Sequence, residues 1–230
     1  MALWMSKLGK LVPAETIYRI LDLGGGTGRF ATLLYKTYSC PVIVLDPSEA
    51  MLKQGTNLVA DGVSWLHGTA EHIPVADGSL NLVWMSQVFH HLEDLPLAFE
   101  EIRRVLSATG FLAVRNGTQE SDALGSKWIQ CFPEAMHLDH GRTPSQAEVV
   151  GCVCQHGFGI VEVETVNQVF ASSYLEYYEK ISRRGLSSLI SISDEAFNRG
   201  LRRLRDWASS QPQDQPVYDP VDLFIFQKRG

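Results

Sequence analysis

The stretch LDLGGGTGRF, residues 21–30, constrains the fold of this chain more than any other. A hydrophobic run ends there, Gly24, Gly25, Gly26 and Gly28 follow, and a helix-like pattern begins. Glycine has no Cβ and loses more entropy on folding than any other residue. A chain accepts that cost where its backbone must turn tightly or be closely approached. Residues 17–23 read as a strand, and 29–38 read as a helix with Phe30, Leu33 and Leu34 on one face. The junction is therefore a strand–turn–helix unit with an unusually bare turn.

The alternation continues down the chain. Residues 41–46 form a continuous apolar run, as in a strand buried on both faces. Further strands are expected at 63–68, 80–86, 110–117, 159–166 and 222–229. Helices are expected at 47–55, closed by Gly55, at 95–106, and at 146–156, stopped by Gly157. This order predicts an α/β fold, a doubly wound, mostly parallel sheet with helices on both faces. Two segments exceed a minimal unit. Residues 118–144 read as a long connection containing Trp128, Phe132, His137 and His140. Residues 167–208 read as helices, with Tyr174, Tyr177, Tyr178 and Ile181 at helical spacing, and 209–220 as a polar, proline-punctuated loop. The expectation is one domain over 1–230, with a core at about 12–166 and 221–230 and a helical lid insertion at about 167–208.

The formal net charge of −6 repels phosphate backbones and disfavours nucleic acid as a partner. Four scattered cysteines form no disulfide framework. Lys7 and Lys10 interrupt the apolar N-terminus, and no run of about 18 apolar residues could span a membrane. The expected compartment is the cytoplasm.

The glycines themselves exclude two guests. A nicotinamide fingerprint needs G-x-G-x-x-G, and counting from Gly24 and Gly26 its third glycine falls on Arg29. A phosphate-binding P-loop needs a Gly-Lys-Ser/Thr ending, which is absent. The spacing suits a nucleoside without phosphates. Asp46, about 20 residues further and ending the second strand, is placed to accept hydrogen bonds from both ribose hydroxyls. The same Asp46-Pro47-Ser48-Glu49 also reads as a helix start with Asp46 as N-cap, and one carboxylate has oxygens for both roles.

Four blocks in order, LDLGGGTGRF, VIVLDPSEAML, GTAEHIPVADGSLNLVWMSQVFHHL and AFEEIRRVLSATGFLAV, make the chain resemble the class I S-adenosylmethionine-dependent methyltransferases, of the group that includes quinone-biosynthesis C-methyltransferases. The resemblance implies a Rossmann-like, seven-stranded sheet whose last strand is antiparallel, and S-adenosyl-L-methionine as cofactor, with S-adenosyl-L-homocysteine as product. By position it implies that Gly24, Gly26 and Gly28 line the methionine and ribose, and that Asp22 reaches the methionine ammonium. Asp46 would hold the ribose, Met51 would pack beside the adenine, and Ala70 and Glu71 would flank its edge. Ser86 and Gln87 would lie near the sulfonium. The family often carries an Asp at the position of Thr69, so adenine contact here is expected to shift to Glu71 or backbone.

Transfer of the methyl is an in-line displacement that needs no metal. A general base helps when the nucleophile carries a proton, and the candidates are His90, His91, His137 and His140, of which His91, His137 and His140 are retained. The sequence CVCQH offers Cys152, Cys154 and His156, but residues two apart on a helix diverge, so no metal site is expected. Ser86-Gln87-Val88-Phe89 replaces the Asn/Asp-Pro-Pro-Tyr/Phe of amide- and adenine-methylating relatives. The acceptor expected is a small molecule with an O, N or C nucleophile. The alternatives are a non-catalytic cofactor-binding subunit, an RNA or protein methyltransferase, and a nicotinamide oxidoreductase. The sequence leaves the oligomeric state open.

Overall fold

A computed structural model of the chain describes residues 1–57, 62–121, 127–140 and 143–230; the side chains at 127, 137–140 and 187 lie outside that description. Residues 1–116, 147–164 and 222–230 form one compact unit, and residues 117–146 and 165–221 form a second.

The first unit runs α1 (Ala2–Leu11), β1 (Ile20–Leu23), α2 (Ala31–Tyr38), β2 (Val42–Asp46), α3 (Glu49–Thr56), β3 (Val63–His67), β4 (Leu80–Ser86), α4 (Leu95–Val105) and β5 (Leu106–Asn116). Later elements are α5 (Lys127–Cys131), α6 (Pro133–His140), α7 (Gln146–Gln155), β6 (Phe158–Ala171), α8 (Tyr174–Ser182), α9 (Ser187–Ile190), α10 (Asp194–Ser209) and β7 (Val217–Lys228). The seven strands lie in the order β3-β2-β1-β4-β5-β7-β6. β1 pairs in parallel with β2 and β4, β2 with β3 and β4 with β5, whereas β7 runs antiparallel to β5. The strand order reverses beside β1, the switch point where open α/β sheets leave a crevice at the strands' carboxyl ends.

Alternation along the strands sorts the core. Leu21, Leu23, Ile43, Leu45, Val83, Met85, Leu112 and Val114 share one cluster with Phe99 and Ile102 of α4 and Val149 and Val153 of α7. Ile20, Asp22, Val42, Val44, Leu82 and Trp84 point to the opposite face, and all are buried. α4 buries Ala98, Phe99, Ile102 and Val105, a helical spacing. Its N-cap is Asp94, whose Oδ1 accepts from the Leu97 N–H at 3.0 Å. Arg104 of α4 donates to the carbonyls of Ile73 at 2.8 Å and Val75 at 2.9 Å, and Glu101 accepts from the Ile73 N–H at 2.9 Å. These bonds pin the segment that follows Ala70 and Glu71.

Several boundaries differ from the sequence expectation. Gly55 lies inside α3 and does not close it; a Cβ there would meet Trp65 Cη2 at 2.2 Å, so the bare face exists for packing. β5 begins at Leu106, directly after α4, because Leu106 pairs with Leu80 and a register shift at Leu80/Leu82 absorbs the polar residues before Gly110. The 118–144 connection carries the helices α5 and α6. Residues 167–171 continue β6, and helix begins only past Ser173, whose Oγ accepts from the Glu176 N–H at 3.2 Å. The loop before the last strand ends early, since β7 starts at Val217.

The second unit has its own core of Trp128, Phe132, Tyr177, Ile181, Phe197 and Leu204. The Trp128 N–H donates to the Tyr177 hydroxyl at 3.0 Å, and burial pushes that phenol upward from its usual range. Tyr174 meets Trp207 edge-on at 5.1 Å. The tyrosine stripe is therefore packing. No helix among the described residues is long and apolar enough to cross a membrane.

Candidate active site

At the carboxyl ends of β1, β2 and β4 a cleft of about 590 Å3 opens, within the size range of small-molecule sites. It is lined by Leu23, Gly24 and Gly26 after β1, Asp46, Pro47 and Met51 after β2, Gly68–Glu71 after β3, and Ser86–Val88 and His91–Asp94 after β4.

The glycine turn is built for close approach. The N–H groups of Gly24 and Gly25 both donate to the Leu45 carbonyl, at 2.8 and 3.2 Å, which folds the chain back over β2. Gly24 and Gly26 adopt left-handed φ angles of 66° and 57°. A Cβ on Gly24 would stand 2.5 Å from Val88 Cγ2. Gly28 is placed differently. It does not line the cleft, and a Cβ there would lie 2.4 Å from Trp65 Cη2. Its bareness admits an indole.

Asp46 joins the turn to α3. Its Oδ2 accepts from the Gly26 N–H at 2.9 Å and its Oδ1 from the Ser48 N–H at 2.9 Å. The N-cap of α3 is Ser48, whose Oγ accepts from the Met51 N–H at 3.4 Å, so Asp46 starts the turn before the helix and does not cap it. An ionised carboxylate offers about four acceptor positions. Among the described residues, two are taken by main-chain N–H groups.

Asp22 lies under the turn, 1% exposed, and does not line the cleft. Its Oδ2 has no hydrogen-bond partner among the described residues. Burial, then the charge of Asp46, push its carboxyl from 3.8 up to about 8, against the pull of the Ala31 N–H. A buried, unpartnered carboxylate oxygen beside a ligand cleft is costly unless a cation or donor completes it.

Ala70 and Glu71 form part of the wall. Glu71 Oε1 accepts from the Glu93 N–H at 3.1 Å and the Asp94 N–H at 3.5 Å. Partial burial would raise its carboxyl, but these bonds and one from the Thr69 hydroxyl hold it below the ordinary glutamate value. Thr69, where the family often carries an acid, therefore serves Glu71, and Glu71 ties the 69–71 and 93–94 segments into one rim.

Ser86 ends β4 and faces Arg115 across the β4–β5 pair. Gln87 is one of few non-glycine residues with a left-handed φ, 60°, and its N–H donates to the Arg115 carbonyl at 2.7 Å. The 3-10 turn Phe89–His91 follows, with the His90 and His91 rings 4.1 Å apart. Only His91 of the two lines the cleft. His137 and His140 fall in α6, but their side chains lie outside the described residues. Sequence reasoning missed Pro47, Val88, Leu92, Glu93 and Asp94 as lining. The Asp94-Leu95-Pro96 helix start was the available signal for a loop held at the cleft.

A doubly wound sheet with a bare turn after β1, an acid ending β2 and a cleft at the switch point defines an open α/β fold with its crevice where such folds take ligands. Residues 21–114 match the methyltransferase domain family. That stretch carries the pattern of the class I S-adenosylmethionine-dependent methyltransferases, which the chain is similar to. It is 26% identical over 200 residues to the glycine/sarcosine/dimethylglycine N-methyltransferase of Actinopolyspora halophila, covering 84% of this chain and 34% of that protein. It is 32% identical over 117 residues to the ubiquinone/menaquinone biosynthesis C-methyltransferase UbiE of Rubrivivax gelatinosus, covering 50% of this chain and 46% of that one. The chain thus spans about a third to a half of the length of these curated relatives. The crystal structure of YcgJ from Bacillus subtilis superposes with a TM-score of 0.66 over 100% of both chains at 20% identity, a likeness of fold.

Proposed function

We propose that this chain transfers a methyl group from S-adenosylmethionine to a small-molecule acceptor through an O, N or C nucleophile, releasing S-adenosylhomocysteine. The observation that carries the reading is convergence: residues from after β1, β2, β3 and β4 meet in one cleft, and beneath it lies a buried carboxylate oxygen lacking a partner. That oxygen of Asp22 fits the methionine ammonium, directly or through a water. Asp46 has acceptor positions left for two ribose hydroxyls. Met51, Ala70 and Glu71 frame a place for adenine, and Ser86 and Gln87 for the methionine near its sulfur.

Held there, the cofactor would supply a methyl on a positively charged sulfur, which would leave with the C–S electron pair as the acceptor's lone pair formed the new bond. The chain's contribution is alignment, and holding two reactants in line supplies roughly 7–11 kcal/mol of a barrier. His91, the cleft-lining imidazole, takes the proton where the acceptor is an O–H or N–H. A small acceptor is supported by the negative net charge and by relatives named for glycine derivatives and quinones.

The test is calorimetry with S-adenosylhomocysteine and NADH side by side, followed by product analysis with S-adenosylmethionine and a panel of small amines, acids and quinols. Binding of the homocysteine nucleoside alone and its accumulation with one acceptor are expected. Binding of NADH instead would overturn the reading. Nucleoside binding with no turnover of any acceptor would point to a cofactor-binding subunit.

A further inference from the structure

The N-terminal helix lines nothing in the cleft, yet it is tied to it through one buried cation. Arg115, 8% exposed at the end of β5, lies with its guanidinium carbon 4.6 Å from the Trp4 ring of α1 and 5.7 Å from the Phe30 ring. Trp4 is 1% exposed, so the contact is desolvated and the cation–π attraction is at its stronger end. Phe30 closes the glycine stretch and packs on Trp84 of β4 at 5.2 Å.

From that position Arg115 grips both residues that end β4. Its Nη1 donates to Ser86 Oγ at 3.1 Å, and its carbonyl accepts from the Gln87 N–H at 2.7 Å. Gln87 needs such restraint, because a left-handed φ of 60° is unfavourable for a residue with a Cβ and persists only where surroundings impose it. Ser86 and Gln87 both line the cleft. Lysine could not substitute, since a planar fork that stacks on rings and also donates sideways is a property of arginine.

We propose that Arg115 is a positioning residue for the cofactor cleft, clamped by Trp4, so that α1 controls the geometry of the Ser86–Gln87 turn and with it cofactor affinity. This deepens the reading that the cleft holds S-adenosylmethionine. It extends the functional unit to a helix that does not line the cleft.

The experiment is a double-mutant cycle on S-adenosylhomocysteine affinity by calorimetry, using Trp4→Leu, Ser86→Ala and the pair, with Trp4→Phe as conservative rescue and urea midpoints measured throughout. Trp4→Leu is expected to weaken binding about tenfold, and Trp4→Phe to recover most of it. The pair is expected to bind about as well as Trp4→Leu alone, because a released Arg115 no longer orders Ser86. Additive losses, or an unchanged affinity in Trp4→Leu, would overturn the proposal. Should Trp4→Leu not fold, the same cycle with Arg115→Lys and Ser86→Ala decides on the same criterion. A wild-type chain that fails to bind the nucleoside at all refutes the cofactor reading instead, so the two failures are told apart.

Discussion

Asp22→Asn replaces the buried carboxyl by a near-isostere that cannot ionise. In the wild-type chain that carboxyl is raised from 3.8 to about 8 by burial and by the neighbouring Asp46. A raised folded-state value means the folded chain holds a proton that the unfolded chain gives up. The stability it confers is complete below about pH 4 and is lost as the pH rises to about 8. Four pH units at about 1.4 kcal/mol each amount to on the order of 5 kcal/mol. The ligand-free Asn variant should lose this slope, and at pH 8 it should be more stable than the wild type by several kcal/mol. Binding should move the other way. The ligand's ammonium favours an ionised Asp22, so wild-type binding at pH 7 should release close to one proton. The variant should release none and bind at least about tenfold more weakly, the scale of a lost hydrogen bond to a charged group. Urea titrations between pH 4.5 and 8.5 measure the first effect. Calorimetry of S-adenosylhomocysteine binding in two buffers of different ionisation enthalpy measures the second. Equal pH slopes in the two proteins, or a binding enthalpy independent of buffer, would refute the reasoning.

Other substitutions test other parts of the site. Gly28→Ala puts a Cβ 2.4 Å from Trp65 and into a left-handed φ of 72°, so a loss of roughly 1–3 kcal/mol in urea titration is expected, partly restored by Trp65→Phe. Glu71→Gln removes the charge that receives the Glu93 and Asp94 N–H groups; because that carboxyl is held low, its stabilisation is present above its unfolded value and is lost as pH falls through the folded one. The variant should therefore lie below wild type in thermal denaturation at pH 7 and converge with it in acid. His91→Asn should lower kcat by about 10²–10⁴ with an O–H or N–H acceptor while leaving S-adenosylhomocysteine affinity within about twofold, as followed by product formation and calorimetry.

Much of the site was legible because it is built from backbone demands that only certain residue types meet. A bare turn after β1 needs glycine, and an acid at the end of β2 marks a polar function in an otherwise apolar strand. These local rules located Gly24, Gly26 and Asp46 in the cleft and the alternation of β1 to β5. They could not separate Gly28, which stays outside the cleft, from Gly24 and Gly26, which line it, because sequence does not say which neighbour a missing Cβ makes room for. They assigned the cap of α3 to Asp46, because Ser48 and Asp46 both satisfy capping chemistry and only the backbone geometry chooses between them.

The sequence alone determined the local grammar of this protein: which segments are strand or helix, where the backbone must be bare, and which face of each element is apolar. Periodicity and steric freedom act within a few residues, so they can be read from a string. Only the tertiary structure decided which distant groups share an environment. The resemblance marks Asp22 by position, but only burial beside Asp46 raises its carboxyl and leaves its Oδ2 without a partner among the described residues. Arg115 becomes a hub because Trp4 and Phe30, more than 80 residues away in the chain, enclose its guanidinium. Desolvation and pairing depend on the whole packed volume, and no short window of sequence contains it.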